Sequence, residues 1–249
     1  MIKSTDTYKI FSDFYDLYVG KFNEDMDFYK TYCNKPDIII EIGCGTGRIL
    51  DYLLKLDYKI VGVDVSQEML DKAKAKLGSW IDNGKLELFN HDFTFGRFNE
   101  TFDKALLTFY TFNYIIEKPI DFLQNIYDSL HDQGLLLIDL FYPNSLYDTT
   151  IDNVWILKDY TIHGIEIKIK DNRHVINNVE RRQQIFYINN EEIKISTDRK
   201  YYRPDEIKQF LEMAGFKNIE FSLDYDLSGF ADMIDESKLK KNYIVKAKK

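Results

Sequence analysis

The stretch Ile38-Ile39-Ile40-Glu41-Ile42-Gly43-Cys44-Gly45-Thr46-Gly47-Arg48 constrains this chain more than any other. An isoleucine run of this length suits a strand buried on both faces. It breaks into alternating glycines, and a helical pattern follows. Glycine tolerates the left-handed backbone and lets a ligand come close to the main chain. A helix opening after Gly47 presents unpaired N–H groups and the positive end of its dipole. Strand, glycine turn and helix start together make a cradle for a cofactor.

The same alternation continues. Lys59 to Val63 reads as a second buried strand ending at Asp64, and Ser66 as the cap of a helix running through Leu77. Leu86 to Phe89, Phe102 to Leu107 and Leu135 to Leu140 read as strands three, four and five. Between the last two, a helix opens at Pro119 and Gly134 is expected to terminate it. Strand–helix alternation of this kind predicts a doubly wound parallel α/β sheet.

From about Tyr142 to Tyr202 the helical periods stop. Ile165 to Lys170 alternates apolar and charged residues, and Gln184–Ile188 with Ile193–Ile195 reads as a hairpin around Asn189-Asn190. Period-two alternation implies antiparallel strands with one wet face. An inserted sheet of three or four strands is expected, serving as a substrate cap or a dimer interface. The core resumes with a helix from Pro204 to Met213, stopped at Gly215, and closes with strands over 216–225 and 242–247. At the other end, residues 7–32 read as two helices. Tyr8, Phe11, Phe14, Tyr15 and Tyr18 give the first an aromatic face, which either packs on the core or covers a ligand as a lid.

Composition removes several classes. At 249 residues the chain is one domain with an insertion. Its 41 acidic and 33 basic residues give a net charge of −8, without the basic face that nucleic acid requires. Cys33 and Cys44 offer neither a disulfide framework nor zinc spacing. No histidine or carboxylate cluster suggests a metal. The start lacks an apolar signal region and no run reaches membrane-spanning length, so a cytoplasmic protein is expected.

The glycine motif decides between ligands. A dinucleotide fingerprint needs a third glycine where Arg48 stands, and Glu41 suits a cationic or amino-bearing ligand better than a pyrophosphate. In its form Glu41-x-Gly43-x-Gly45-x-Gly47, the motif resembles that of the class I S-adenosylmethionine (SAM) methyltransferases. The layout, insertion included, resembles the small bacterial small-molecule methyltransferases that include nucleotide-sugar amine N,N-dimethyltransferases.

The resemblance implies a Rossmann-like sheet of seven strands whose last strand is antiparallel. Residues 33–141 and 203–249 would form the core, 142–202 the β insertion and 1–32 a helical lid. It implies SAM as cofactor, with S-adenosylhomocysteine as product. The cofactor contacts would come from Tyr8, Glu41, Gly43, Cys44, Gly45, Gly47, Asp64, Val65, Met69, Asp92, Phe93 and Thr108. Asp64 would accept the ribose hydroxyls and Asp92 the adenine amino group. Tyr18, Phe109, Asn113, Tyr114, Tyr142 and Arg182 are the substrate-side candidates, and Tyr15 and His163 the catalytic ones. Arg181, Arg199 and Arg203 would join Arg182 around a substrate phosphate.

The segment after strand four lacks the Asn/Asp-Pro-Pro-Tyr-like motif of DNA amino-methyltransferases, and no Pro-Cys nucleophile is present. A small-molecule acceptor is therefore expected, with the amine of a nucleotide-linked sugar first. An O-methyltransferase, a silent SAM-binding partner or sensor, and an NAD(P)-dependent oxidoreductase stand as alternatives. No nucleic-acid or membrane partner is expected, and the chain would be a monomer or homodimer.

Overall fold

The computed structural model describes residues 12, 15, 16, 19, 22–143, 150–162, 164–188, 191–227 and 229–249, with main chain only at 162 and 236. Tyr8, Phe11, Phe14, Tyr18 and His163 lie outside the described residues. Helix α1 spans Met26–Tyr32, β1 Ile38–Ile42, α2 Arg48–Lys55, β2 Lys59–Asp64, α3 Gln67–Asp82 and β3 Leu86–Asn90. Then come β4 Phe102–Leu107, a 3-10 turn Thr111–Tyr114, α4 Pro119–Asp128 and β5 Leu130–Phe141. Four strands follow: β6 Ile156–Ile162, β7 Ile165–Ile176, β8 Val179–Ile188 and β9 Glu191–Lys200. Helix α5 Pro204–Met213, β10 Lys217–Leu223 and β11 Asn242–Lys248 complete the chain.

Seven strands form one sheet in the order β10-β11-β5-β4-β1-β2-β3. Pairings among β1 to β5 are parallel, while β11 runs antiparallel to both β5 and β10. The apolar runs explain the layering. Successive residues of a strand point to opposite faces, so a strand covered on both sides is apolar throughout. Ile39, Ile60, Leu106, Leu137 and Ile244 face a core closed by α1, α2 and α3. Their neighbours Ile40, Val61, Ala105, Ile138 and Val245 face the core under α4 and α5. Each such isoleucine or leucine, fully buried, contributes about 1.5–3 kcal/mol.

The insertion is a separate antiparallel sheet in the order β6-β7-β8-β9. Its register sets Ile167 against Ile188 and Phe186 against both Ile169 and Ile193. These residues form one apolar face, with Tyr15 packed against it, while Glu166, Lys168 and Lys170 point to solvent. Asn113 fastens this sheet to the core. Its Nδ2 donates to Phe141 O at 3.1 Å and Lys200 O at 2.6 Å, and its Oδ1 accepts Phe141 N at 2.9 Å.

Gly134 does not terminate a helix. Helix α4 ends earlier, at Asp128, because Ser129 closes it: its N–H reaches Asn125 O and Ile126 O, and its Oγ donates to Asn125 O. Leu130 already pairs with Phe102, and Gly134 lies inside β5. Among the described residues, no helix is long and apolar enough to cross a membrane.

Candidate active site

Strand ends and the glycine turn build the site together. After β1 the chain folds back onto β2, and the N–H groups of Gly43 and Cys44 both donate to Val63 O, at 2.7 and 3.0 Å. Gly43, Gly45 and Gly47 all have positive φ, of 76°, 54° and 80°. A Cβ on Gly43 would fall 2.5 Å from Thr111 Cγ2, whereas one on Gly45 would meet nothing within 4 Å. The Gly45 side is thus an open cradle, and it lines a cavity of about 610 Å³. That volume lies within the range of small-molecule sites.

Asp64, the last residue of β2, braces the turn. Its Oδ2 accepts Gly45 N at 2.8 Å and its Oδ1 accepts Ser66 N at 2.9 Å. A carboxylate has about four acceptor positions, so these bonds leave Asp64 capacity to accept a ligand hydroxyl. Burial raises this carboxyl, and the main-chain N–H groups counter the shift. Ser66 caps α3 by accepting Met69 N, which sets the buried Met69 on the cavity wall. Beyond β3, Asp92 Oδ1 accepts both the N–H and the hydroxyl of Thr94, at 2.8 and 2.7 Å.

Beneath the turn lies a buried polar layer. Glu41 is 1% exposed; its Oε1 accepts Thr108 Oγ1 at 2.7 Å, and its Oε2 has no hydrogen-bond partner among the described residues. Burial pushes its carboxyl up to about 8. An orphaned, buried carboxyl oxygen next to a glycine turn fits a ligand ammonium, whose charge would favour the ionised carboxylate. Nearby, Asp139 at the end of β5 accepts Tyr225 Oη at 2.7 Å and Asn242 Nδ2 at 3.4 Å. Burial pushes it up to about 7. The Arg48 guanidinium sits over the rings of Phe22 and Phe109, 5.3 Å from each centroid, and pairs with Asp25.

At the mouth, Phe109 and Tyr110 both hold the left-handed backbone, with φ of 47° and 69°. Non-glycine residues take that conformation at a cost, and such positions cluster at functional sites. Their rings stack 5.1 Å apart, and Phe109 faces the cavity.

Of the residues singled out in the sequence, Tyr15, Gly43, Gly45, Asp64, Val65, Met69, Asp92, Phe93, Thr108, Phe109 and Tyr114 line this one cavity. Glu41, Cys44 and Gly47 belong to the strand and turn that carry the lining residues Ile42, Gly43 and Gly45 but do not line it themselves. Asn113 is fully buried with its amide spent on main chain, so the structure gives it a fastening role and not a wall position. Tyr142 packs beside Tyr243, its centroid 6.5 Å away. Arg182 is held by Asp171 on the insertion, away from the cavity. Its companions are paired too: Arg181 with Asp198, Arg199 with Glu180 and Arg203 with Asp205. Thr94, Phe95 and Ile116 also line the cavity. Sequence reading passed over them because the turns after β3 and β4 carry no periodicity.

Residues 40–136 match the methyltransferase domain family model. That stretch of the chain resembles a methyltransferase domain. The chain is 25% identical over 242 residues to a putative methyltransferase of Geobacillus sp. (strain WCH70), covering 88% of this chain and 92% of the relative. It is 27% identical over 211 residues to the carboxy-S-adenosyl-L-methionine synthase of Nautilia profundicola, covering 82% and 80%. Its fold superposes on a SAM-dependent methyltransferase from Clostridium acetobutylicum with a TM-score of 0.79, at 20% identity over 97% of this chain and 98% of that one. An amino pentose methyltransferase from Micromonospora echinaspora involved in calicheamicin biosynthesis gives 0.70, at 14% identity over 95% and 97%. The antiparallel β11 is the last strand that the sequence resemblance implied, and the family model that matches is of methyltransferases, not of oxidoreductases.

Proposed function

We propose that the chain transfers the methyl group of SAM to the amino nitrogen of a small molecule, with an amino sugar, free or nucleotide-linked, as first candidate. The observation that carries the amine reading is likeness over nearly the whole chain, insertion included, to an amino pentose methyltransferase.

Bound SAM supplies a methyl group already activated on a sulfonium, so alignment can account for much of the acceleration, up to roughly 7–11 kcal/mol in well-oriented systems. The chain's part is to hold and orient. Asp64 would accept the ribose hydroxyls, Glu41 Oε2 would meet the ammonium, and Asp92 would accept the adenine amino group, with Val65, Met69 and Phe93 against the ring. Tyr15, Phe109 and Tyr114 shape the acceptor end. Burial raises the Tyr15 phenol, so it stays protonated at neutral pH and serves as a hydrogen-bonding group, not a base. An amine needs no base if it arrives neutral; a hydroxyl needs one.

Incubating the protein with SAM and matched amino and hydroxy sugars, with products read by mass spectrometry, tests the reading. Methylation of the amino sugars alone is expected, and methylation of the hydroxyl partners alone would reverse it. The synthase relative supports a second reading, in which the cofactor itself gains a carboxyl group. With a carboxyl donor added to the same incubation, that reading predicts a heavier cofactor and no methylated sugar.

A further inference from the structure

Glu41, the penultimate residue of β1, is a buried acid for which the described residues supply no paired cation. Its Oε1 accepts the Thr108 hydroxyl at 2.7 Å, and Thr108 lines the cofactor cavity together with Ile42 and Gly43. Glu41 is thus hydrogen-bonded to a residue of that lining. The titratable groups around it come from every neighbouring element: Asp64 on β2, Cys44 in the turn, Tyr29 on α1, Arg48 at the start of α2 and Asp25 before α1. Burial keeps the Cys44 thiol and the Tyr29 phenol protonated, and Asp25 and Asp64 oppose a negative charge at Glu41. Arg48 would favour that charge, but its two Nη atoms are committed to Asp25.

A buried carboxyl with one hydroxyl donor and no paired cation is more stable protonated. Glu41 accordingly ionises only at about 8, so it is neutral at pH 7. Because Thr108 donates to Oε1, the acid proton belongs on Oε2, which has no hydrogen-bond partner among the described residues. Losing that proton forfeits no hydrogen bond with them. It also turns Oε2 into a charged acceptor, which binds a cationic N–H donor more strongly than a neutral one would.

We propose that Glu41 selects a cofactor bearing an ammonium group by giving up its own proton to that charge, so that binding at neutral pH releases a proton to solvent. This rests on the methyl-transfer reading, in which the methionine end of SAM supplies the ammonium. The proton count closes: one proton leaves Oε2, and the ligand amine arrives and stays protonated. Affinity then follows pH. Below about pH 8 binding must displace the proton, so affinity rises nearly ten-fold from pH 6 to pH 7 and levels off between pH 8 and pH 9.

Calorimetric titration of S-adenosylhomocysteine in two buffers of different ionisation enthalpy counts the proton. Wild type releases close to one proton per ligand at pH 7 and almost none at pH 9. Methylthioadenosine, which keeps the adenosine and the thioether but lacks the ammonium, releases none. Glu41→Gln keeps a partner for Thr108 and abolishes both the release and the pH slope, with urea denaturation reporting its fold. Asp139→Asn removes the other nearby carboxyl that ionises near neutrality, and leaves the count unchanged. A count that survives Glu41→Gln, or is equal for the two ligands, would overturn the proposal. Binding of S-adenosylhomocysteine to wild type with no proton released would overturn it and spare the methyl-transfer reading. No binding at all would strike both.

Discussion

Arg48 donates Nη1 to Asp25 Oδ1 at 2.7 Å and Nη2 to Asp25 Oδ2 at 2.6 Å. Asp25 is fully buried and the arginine side chain is 14% exposed. This forked pair ties the first turn of α2, directly after the glycine loop, to the segment that leads into α1. The same guanidinium donates to Phe22 O at 3.1 Å.

Removing one member of a buried pair leaves an uncompensated charge, which costs about 3–5 kcal/mol. Asp25→Ala should therefore destabilise the fold by that order in urea denaturation. Asp25→Leu combined with Arg48→Met should recover most of the loss. A single variant costing under about 1 kcal/mol would show the pair to be dispensable.

The glycine turn predicts unequal effects at two neighbouring positions. A side chain in the left-handed region costs about 1–2 kcal/mol at either one. Gly43→Ala adds a clash with Thr111, for about 1–3 kcal/mol more. Gly45→Ala adds no clash but projects into the cofactor cavity. Thermal denaturation should show Gly43→Ala as the less stable variant, while Gly45→Ala keeps its fold and loses affinity for S-adenosylhomocysteine. The reverse order of stability would contradict the turn geometry.

Much of this was legible in the sequence because it is local. The Ile38–Ile42 run, the three glycines, Asp64 at a strand end and Ser66 before a helix each announce themselves within a few residues, and the structure places all of them in one site or its support. Period two gave the insertion, since Ile165, Ile167 and Ile169 share a face. Gly134 misled because a glycine after a helical stripe also occurs within a strand, and Ser129 had already closed the helix. The partners of Asn113 and the four arginines were not legible, for another reason. They are set by register and tertiary packing: Asp171 meets Arg182 only because β7 and β8 pair as they do.

Asp139 and Glu41 give the protein a pH signature. Unfolded, Asp139 ionises near 4; folded, it does so at about 7, in the company of Tyr225, Asn242, Tyr110, Tyr29, Asp25 and Arg48. Between those values the native state keeps a proton that the unfolded chain has lost. Stability thus falls as pH rises, by about 1.4 kcal/mol per pH unit for each such proton. Glu41, facing Thr108, Arg48, Asp25 and Asp64, extends the fall to about pH 8. Asp139→Asn should flatten the profile between pH 5 and 7 and be more stabilising at pH 8 than at pH 5. Parallel urea-denaturation profiles for variant and wild type would contradict a buried, protonated Asp139.

The central claim is that Asp64 and the glycine cradle hold SAM. It is tested most directly by calorimetric titration of S-adenosylhomocysteine into wild type and Asp64→Ala, with NAD⁺ as control. The account predicts micromolar binding of S-adenosylhomocysteine alone, weakened by roughly 10- to 100-fold in the variant, as expected for losing about 1.5–3 kcal/mol of charged hydrogen bonding. Binding of NAD⁺ instead, or S-adenosylhomocysteine affinity indifferent to Asp64, would contradict it.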